Sequence, residues 1–136
     1  CNSHCCDIDD EKLALAKEAG ATYAVNTMTE DVHQRIQEIT GGYGADVVIE
    51  AVGSPATYVM AVNEVGFTGR VVCIGYAKSE VAFQTKLFVQ KELDIRGSRN
   101  ATPSDFRAVI NCINTGRYPI EKFISKVVTP EETLMQ

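Results

Sequence analysis

The run Val47-Val48-Ile49 is three β-branched residues in a row, flanked by a glycine cluster on one side and a glycine turn on the other. Such an uninterrupted stretch predicts that residues 45–51, ADVVIEA, form a strand buried on both faces, because a strand with one wet face alternates instead. Gly53 ends it, and Ser54-Pro55 supplies a cap hydroxyl and a first helical residue with no amide hydrogen to satisfy, so PATYVMAVNEV reads as a helix. Gly66 and Gly69 close that helix and lead into a second apolar strand, Arg70 to Ile74, which stops at Gly75.

Upstream, residues 1–6, CNSHCC, read as a strand ending near Asp7. Asp9 or Asp10 then caps a helix through Leu13, Ala16 and Ala19 that Gly20 stops. Tyr23 to Val25 is a short strand. Thr29 is placed to cap the next helix, whose Val32, Ile36 and Ile39 share one face and which Gly41, Gly42 and Gly44 break. Downstream, residues 78–93 carry no clear period beyond a short helical part, and Leu93 to Arg96 is a strand ending in Gly97-Ser98-Arg99. Thr102-Pro103-Ser104-Asp105 opens a helix with a capping box, with Phe106, Val109, Ile110 and Ile113 as its inner face and Gly116 as its stop. Strands alternating with helices of this length require crossover connections, which predicts an α/β fold with a parallel sheet flanked by helices. Ligands in such sheets bind beyond the carboxyl ends of the strands. That rule selects Asp7, the Ala51-Val52-Gly53 turn, the Ile74-Gly75-Tyr76 turn and Gly97-Ser98-Arg99 before any family is considered.

Composition narrows the classes. The chain has 136 residues, 45% hydrophobic and 23% charged, with a formal net charge of −5, which suits one folded domain and gives no basic footprint for nucleic acid. No run is long enough for a membrane span and no signal segment is evident, so a cytoplasmic protein with no membrane or nucleic-acid partner is expected. Five cysteines, an odd number, are expected to be reduced thiols. The opening His4, Cys5 and Cys6 do not read as a metal site. On a strand, neighbours face opposite ways, so His4 shares a face only with Cys6, and two ligands do not make a zinc site.

Four segments together carry a resemblance: DxxxxKLxxAKxxGA at Asp7 to Ala21, GADVVIEAVGS at Gly44 to Ser54, GRVVCIG at Gly69 to Gly75, and KELDIRGSRNATPSDF at Lys91 to Phe106. In order and spacing they are similar to the cofactor domain of the zinc-type medium-chain alcohol dehydrogenases, the last segment most like the polyol, threonine and sugar-acid dehydrogenases. The resemblance implies a Rossmann-like domain binding NAD. It also implies that the first strand and Gly-rich turn of that domain, GxGxxG, are lacking, since no such motif occurs in the chain. Residues 1–118 would then be a partial NAD-binding domain, and 119–136 the start of a segment returning to a catalytic domain that holds zinc through ligands outside this chain.

By the same resemblance, Asp7 accepts hydrogen bonds from the adenosine ribose hydroxyls and favours NAD over NADP, whose 2'-phosphate would meet its charge. Lys12 lies near the adenine or ribose edge, Val52 and Gly53 pass under the adenosine side, Ile74 and Gly75 offer backbone contacts to the nicotinamide carboxamide, and Ser98 and Arg99 sit at the nicotinamide and pyrophosphate. Asn100 is a weaker candidate of the same group. Bland roles stand beside these: a helix cap for Asp7, a solvated lysine for Lys12, ordinary strand-to-helix turns, a surface ion pair for Arg99, a surface position for His33, and buried or half-buried thiols for Cys73 and Cys112. The implied activity is oxidation of a secondary alcohol of a polyol or sugar acid by a longer, zinc-dependent enzyme, with a small-molecule alcohol as substrate. That enzyme is expected to be a homo-oligomer pairing near Leu93 to Arg96. The chain by itself is expected to be inactive, with weak or no NAD binding. Rival readings are a zinc-free NADPH quinone reductase, which Asp7 disfavours, a non-catalytic nucleotide-binding module, and a receiver-like domain, whose clustered strand-end acids are missing at Val52, Ile74 and Arg99.

Overall fold

A computed structural model describes residues 2–116 and 120–130. The strands are β1 (His4–Asp7), β2 (Tyr23–Asn26), β3 (Ala45–Glu50), β4 (Val65–Cys73) and β5 (Asp94–Gly97). The helices are α1 (Asp10–Glu18), α2 (Val32–Thr40), α3 (Pro55–Glu64), α4 (Lys86–Gln90) and α5 (Pro103–Asn114), followed by a 3-10 turn, Ile120–Phe123. The boundary expected at 118–119 falls outside the described residues. Among the described residues all pairing is parallel, in two sheets: β1 with β2, and β3-β4-β5 in that order. The chain divides into two compact units, one from residues 1–26 and 101–136, the other from 27–100.

In the first unit, α1 starts where Asp9 accepts from the amides of Glu11 and Lys12, and it lays Leu13 against the β1–β2 pair, where Val25 is fully buried. Asp10 holds the side-chain amide of Asn26 at 2.6 Å, tying the helix start to the end of β2. The α5 capping box forms as the sequence pattern predicts, with Thr102 and Asp105 bonded reciprocally. Its expected inner face does not close. Phe106, Val109, Ile110 and Ile113 are all exposed, so local capping and periodicity form this helix without burial of its apolar stripe among the described residues. Cys112, expected at least half-buried, is exposed with them.

The second unit is built around α3 lying over β3 and β4. Ala61, Val65 and Val71 form its buried cluster, with Val48, Cys73 and Leu93 packed against it. Full burial of a valine such as Val71 contributes roughly 1.5–3 kcal/mol. Register places Val48, Val71 and Ile95 side by side under the helix, and Val47, Ile49, Arg70 and Asp94 on the opposite face. This corrects the expectation that β3 is buried on both sides: Val47 is 53% and Ile49 64% exposed. The reason is that β3 is the outer strand of a three-stranded sheet and only its Val48 face is covered by α3. On the open face Asp94 bridges Arg70 at 2.8 Å and Arg96 at 2.9 Å.

Three further boundaries differ from the sequence pattern. Asp31, not Thr29, caps α2, its carboxylate accepting from the Gln34 amide. Gly66 and Gly69 do not close α3; the helix ends at Glu64 and the chain enters β4 at Val65 with no loop. The two glycines instead lie in an irregular stretch of β4, where pairing jumps from Ala45–Val65 to Val47–Arg70 and Thr68 adopts φ 56°. The helix ends where Val65 turns to extended backbone, and a cation satisfies the carbonyls at that joint: the Lys91 ammonium donates to those of Asn63 at 2.8 Å and Val65 at 2.7 Å, with Val62 at 3.4 Å. Burial lowers the Lys91 pKa, partly opposed by the nearby Glu64 carboxylate. His33 of α2 is exposed, as its surface reading expects, and its Nδ1 also sits 3.1 Å from both carboxylate oxygens of the buried Glu64.

Candidate nucleotide site at the strand ends

The carboxyl ends of β3, β4 and β5 are held as a crest by backbone bonds. The amides of Ile74 and Gly75 donate to the Glu50 carbonyl at 2.8 and 3.0 Å, and the Ser98 amide donates to the Cys73 carbonyl at 2.9 Å. Val52, Gly53, Ile74, Gly75 and Ser98 are thus brought together by the ends of three neighbouring strands.

The approach of the two glycine turns is closer than any side chain would permit. A Cβ built on Gly75 would lie 2.3 Å from the Gly53 nitrogen, and one built on Gly53 would lie 2.5 Å from the Tyr76 nitrogen. Gly53 also adopts φ 78°, a conformation open to glycine at little steric cost. The outer surface of the crest is apolar and open: the side chains of Val52, Ile74 and Tyr76 are exposed. Arg99 lies with its guanidinium carbon 5.7 Å from the Tyr76 ring centre, a cation–π contact that holds a planar cation beside these apolar groups. Asn100 follows in the left-handed region at φ 65°.

Beneath the crest sits a residue that the sequence pattern did not single out. Glu50 is the last residue of β3 and is 3% exposed. Its Oε1 accepts from the amides of Val52 at 3.0 Å and Gly53 at 2.8 Å and from the Thr57 hydroxyl at 2.7 Å. Its Oε2 is buried with no hydrogen-bond partner among the described residues. A charged residue at the end of an apolar run was the available signal, hidden by three β-branched neighbours. The Tyr58 hydroxyl, also missed, donates to the Gly75 carbonyl at 2.7 Å. Burial raises the Cys73 thiol, and the Glu50 carboxylate raises it further. Burial likewise raises the Tyr58 phenol, reinforced by Cys73 and Glu50. Both groups therefore stay protonated near neutral pH, and Cys73 is not set up as a nucleophile.

Asp7 and Lys12 belong to the other unit. Asp7 closes β1, and its Oδ1 accepts from the amides of Ile8 at 2.7 Å and Asp9 at 3.1 Å. Oδ2 takes no hydrogen bond from the described residues, and the role of α1 cap belongs to Asp9. Lys12 is exposed, its ammonium 4.0 Å from Asp9 Oδ2. The neighbouring His4 stacks on Tyr23 with ring centres 5.1 Å apart, and neither Cys5 nor Cys6 is in a disulfide among the described residues. Among the described residues no group of three or more His, Cys, Asp or Glu is placed to hold a metal ion, and no helix is long and apolar enough to cross a membrane.

Parallel strand ends closed by paired glycine turns occur in more than one α/β family, and the sequence decides among them. The profile of the family described as zinc-binding dehydrogenase matches residues 1–115. The chain belongs to the zinc-binding dehydrogenase family. Within that family it is 30% identical over 125 residues to a sorbitol dehydrogenase of Halalkalibacterium halodurans, covering 91% of this chain and 36% of the relative. It is 34% identical over 119 residues to a D-arabitol-phosphate dehydrogenase of Enterococcus avium, covering 87% and 34%. Among solved structures, an alcohol dehydrogenase zinc-binding domain protein from Burkholderia ambifaria superposes with a TM-score of 0.81 at 30% identity, over 89% of this chain and 34% of that one. This zinc-binding dehydrogenase chain thus spans about a third of the length of the curated relatives it matches.

Proposed function

We propose that this chain is the cofactor-binding segment of a longer, zinc-dependent, NAD-linked dehydrogenase that oxidises a secondary alcohol of a polyol or sugar acid. The observation that carries the cofactor half of this reading is Asp7, a carboxylate at the end of a parallel strand whose Oδ2 takes no hydrogen bond from the described residues. A carboxylate so placed accepts from a pair of ribose hydroxyls and repels a 2'-phosphate. Val52, Gly53, Ile74 and Gly75 provide the apolar crest on which the flat parts of the dinucleotide lie, and Lys12, Ser98 and Arg99 supply polar contacts, Arg99 as a planar donor to phosphate.

NAD, when bound, would supply the acceptor for the hydride lost from the alcohol carbon. The task of this chain is to hold its nicotinamide ring in place. The described residues contain no zinc ligand set. Zinc belongs to the proposal for the longer polypeptide, with ligands outside this chain as the family resemblance implies. The polyol half is supported by relatives named sorbitol, D-arabitol-phosphate and erythritol/L-threitol dehydrogenases. A cytoplasmic homo-oligomer is part of the same proposal.

The test is steady-state kinetics of the full-length polypeptide carrying this chain, with polyols and sugar acids as substrates and NAD compared with NADP. NAD is expected to be preferred. Asp7→Asn is expected to raise KM for NAD about tenfold or more, the loss of a charged hydrogen-bond acceptor, and to narrow the gap to NADP. Preference of the unaltered enzyme for NADP, or an unchanged KM in the variant, refutes the assignment.

A further inference from the structure

We propose that Glu50 is the positioning residue that sets both glycine turns of the crest for nucleotide binding, acting from beneath and never touching the ligand. The inference rests on the cofactor reading above and names a residue that reading does not use.

Glu50 is bonded to each turn by a different group. Its backbone carbonyl receives the amides of Ile74 and Gly75, at 2.8 and 3.0 Å, and its side-chain Oε1 receives those of Val52 and Gly53, at 3.0 and 2.8 Å. Four amides from two turns therefore converge on one residue. The turns then meet across the Gly53–Gly75 contact, where neither glycine has room for a Cβ. Thr57 closes the arrangement from α3, its hydroxyl donating to the same Oε1 at 2.7 Å. Because the Val52 and Gly53 amides point inward to a carboxylate, the turn does not offer them to an anion. What it presents outward is the exposed Val52 side chain.

A role in stability alone does not account for this side chain. One oxygen accepts three hydrogen bonds, while Oε2 lies buried with no partner among the described residues, and a buried polar atom without a partner costs stability. The carboxylate thus carries a cost at Oε2 while its Oε1 and backbone carbonyl fix the geometry of the crest. Small displacements of ligand-positioning groups weaken function severely.

The experiment uses the full-length polypeptide carrying this chain, with dissociation constants for NAD measured by titration and KM and kcat measured in parallel. Glu50→Ala removes the acceptor of two amides and a hydroxyl, and NAD binding is expected to weaken roughly tenfold to a hundredfold. KM for NAD should rise with it while kcat at saturation falls less. Glu50→Gln keeps an acceptor oxygen of the same reach and is expected to stay within about threefold of the unaltered enzyme. Thr57→Val, which deletes one of the three donors, is expected to weaken binding several-fold.

A folded Glu50→Ala variant that binds NAD as tightly as the unaltered enzyme overturns the proposal, as does a Glu50→Gln variant as weak as Glu50→Ala. If Glu50→Ala does not fold, Thr57→Val decides: unchanged NAD affinity there overturns the proposal, and a several-fold loss supports it. Failure of the unaltered enzyme to bind NAD would instead refute the cofactor reading and remove this inference with it.

Discussion

Substituting alanine for Gly75 tests the geometry of the crest most directly. The added Cβ would lie 2.3 Å from the Gly53 nitrogen, 2.5 Å from Glu50 Oε2 and 2.8 Å from the Gly53 Cα, where ordinary contact begins at 3.4 Å. About 1 Å of separation must therefore come from two backbone turns and a buried carboxylate, and overpacking of this kind costs about 1–3 kcal/mol. Gly75 is not among the glycines at positive φ, so the cost is steric and owes nothing to a forbidden conformation. For a chain of this size 1 kcal/mol moves the thermal midpoint by about 4 °C, which sets the expected fall at about 4–12 °C. Gly97 is the control. It ends the neighbouring strand β5, lacks a positive φ, and has nothing within 4 Å of a built Cβ. Gly97→Ala should leave the midpoint unchanged or raise it slightly, since alanine loses less entropy on folding. Thermal unfolding followed by circular dichroism on the two variants side by side is the measurement. A Gly75→Ala midpoint equal to that of the unaltered chain, or equal losses in both variants, would refute the close approach of the two turns.

Lys91→Met should destabilise the chain by about 1–2 kcal/mol in urea unfolding, because the carbonyls at the end of α3 lose their cation while the aliphatic stem is kept; no change would mean water caps that end equally well. Asp94 has its pKa lowered first by its hydrogen bond from Arg96, then by that from Arg70. A depressed carboxylate stabilises the fold above its unfolded pKa and loses that contribution as pH falls through the folded value. The stability gap between the unaltered chain and Asp94→Asn should therefore be full above about pH 3.9 and close below it, and a gap independent of pH would contradict the pairing.

The parallel α/β architecture was legible because each strand–helix unit carries its own punctuation. Asp9, Ser54-Pro55 and Thr102-Pro103 start helices by local hydrogen bonding, and local chemistry survives whatever the tertiary context. Burial was less legible. Val47-Val48-Ile49 signals a strand but cannot report how many faces are covered, and the apolar stripe of α5 states a preference that the described residues do not meet. Gly66 and Gly69 were ambiguous because glycine serves a helix stop and a strand irregularity for the same conformational reason. At the crest, the glycine turns could be found from strand ends alone. Glu50 could not, since its importance lies in four amides converging from two turns separated by more than 20 residues of sequence.

The direct passage from α3 into β4 bears on how this segment can vary over evolutionary time. With Glu64 the last helical residue and Val65 the first of the strand, no slack exists to absorb a change in length. One inserted residue at that joint would either turn α3 by about 100° about its axis or exchange the two faces of β4. Insertions and deletions among kindred sequences should accordingly collect elsewhere, as in the irregular stretch from residue 76 to 85, while the α3–β4 joint keeps a constant count.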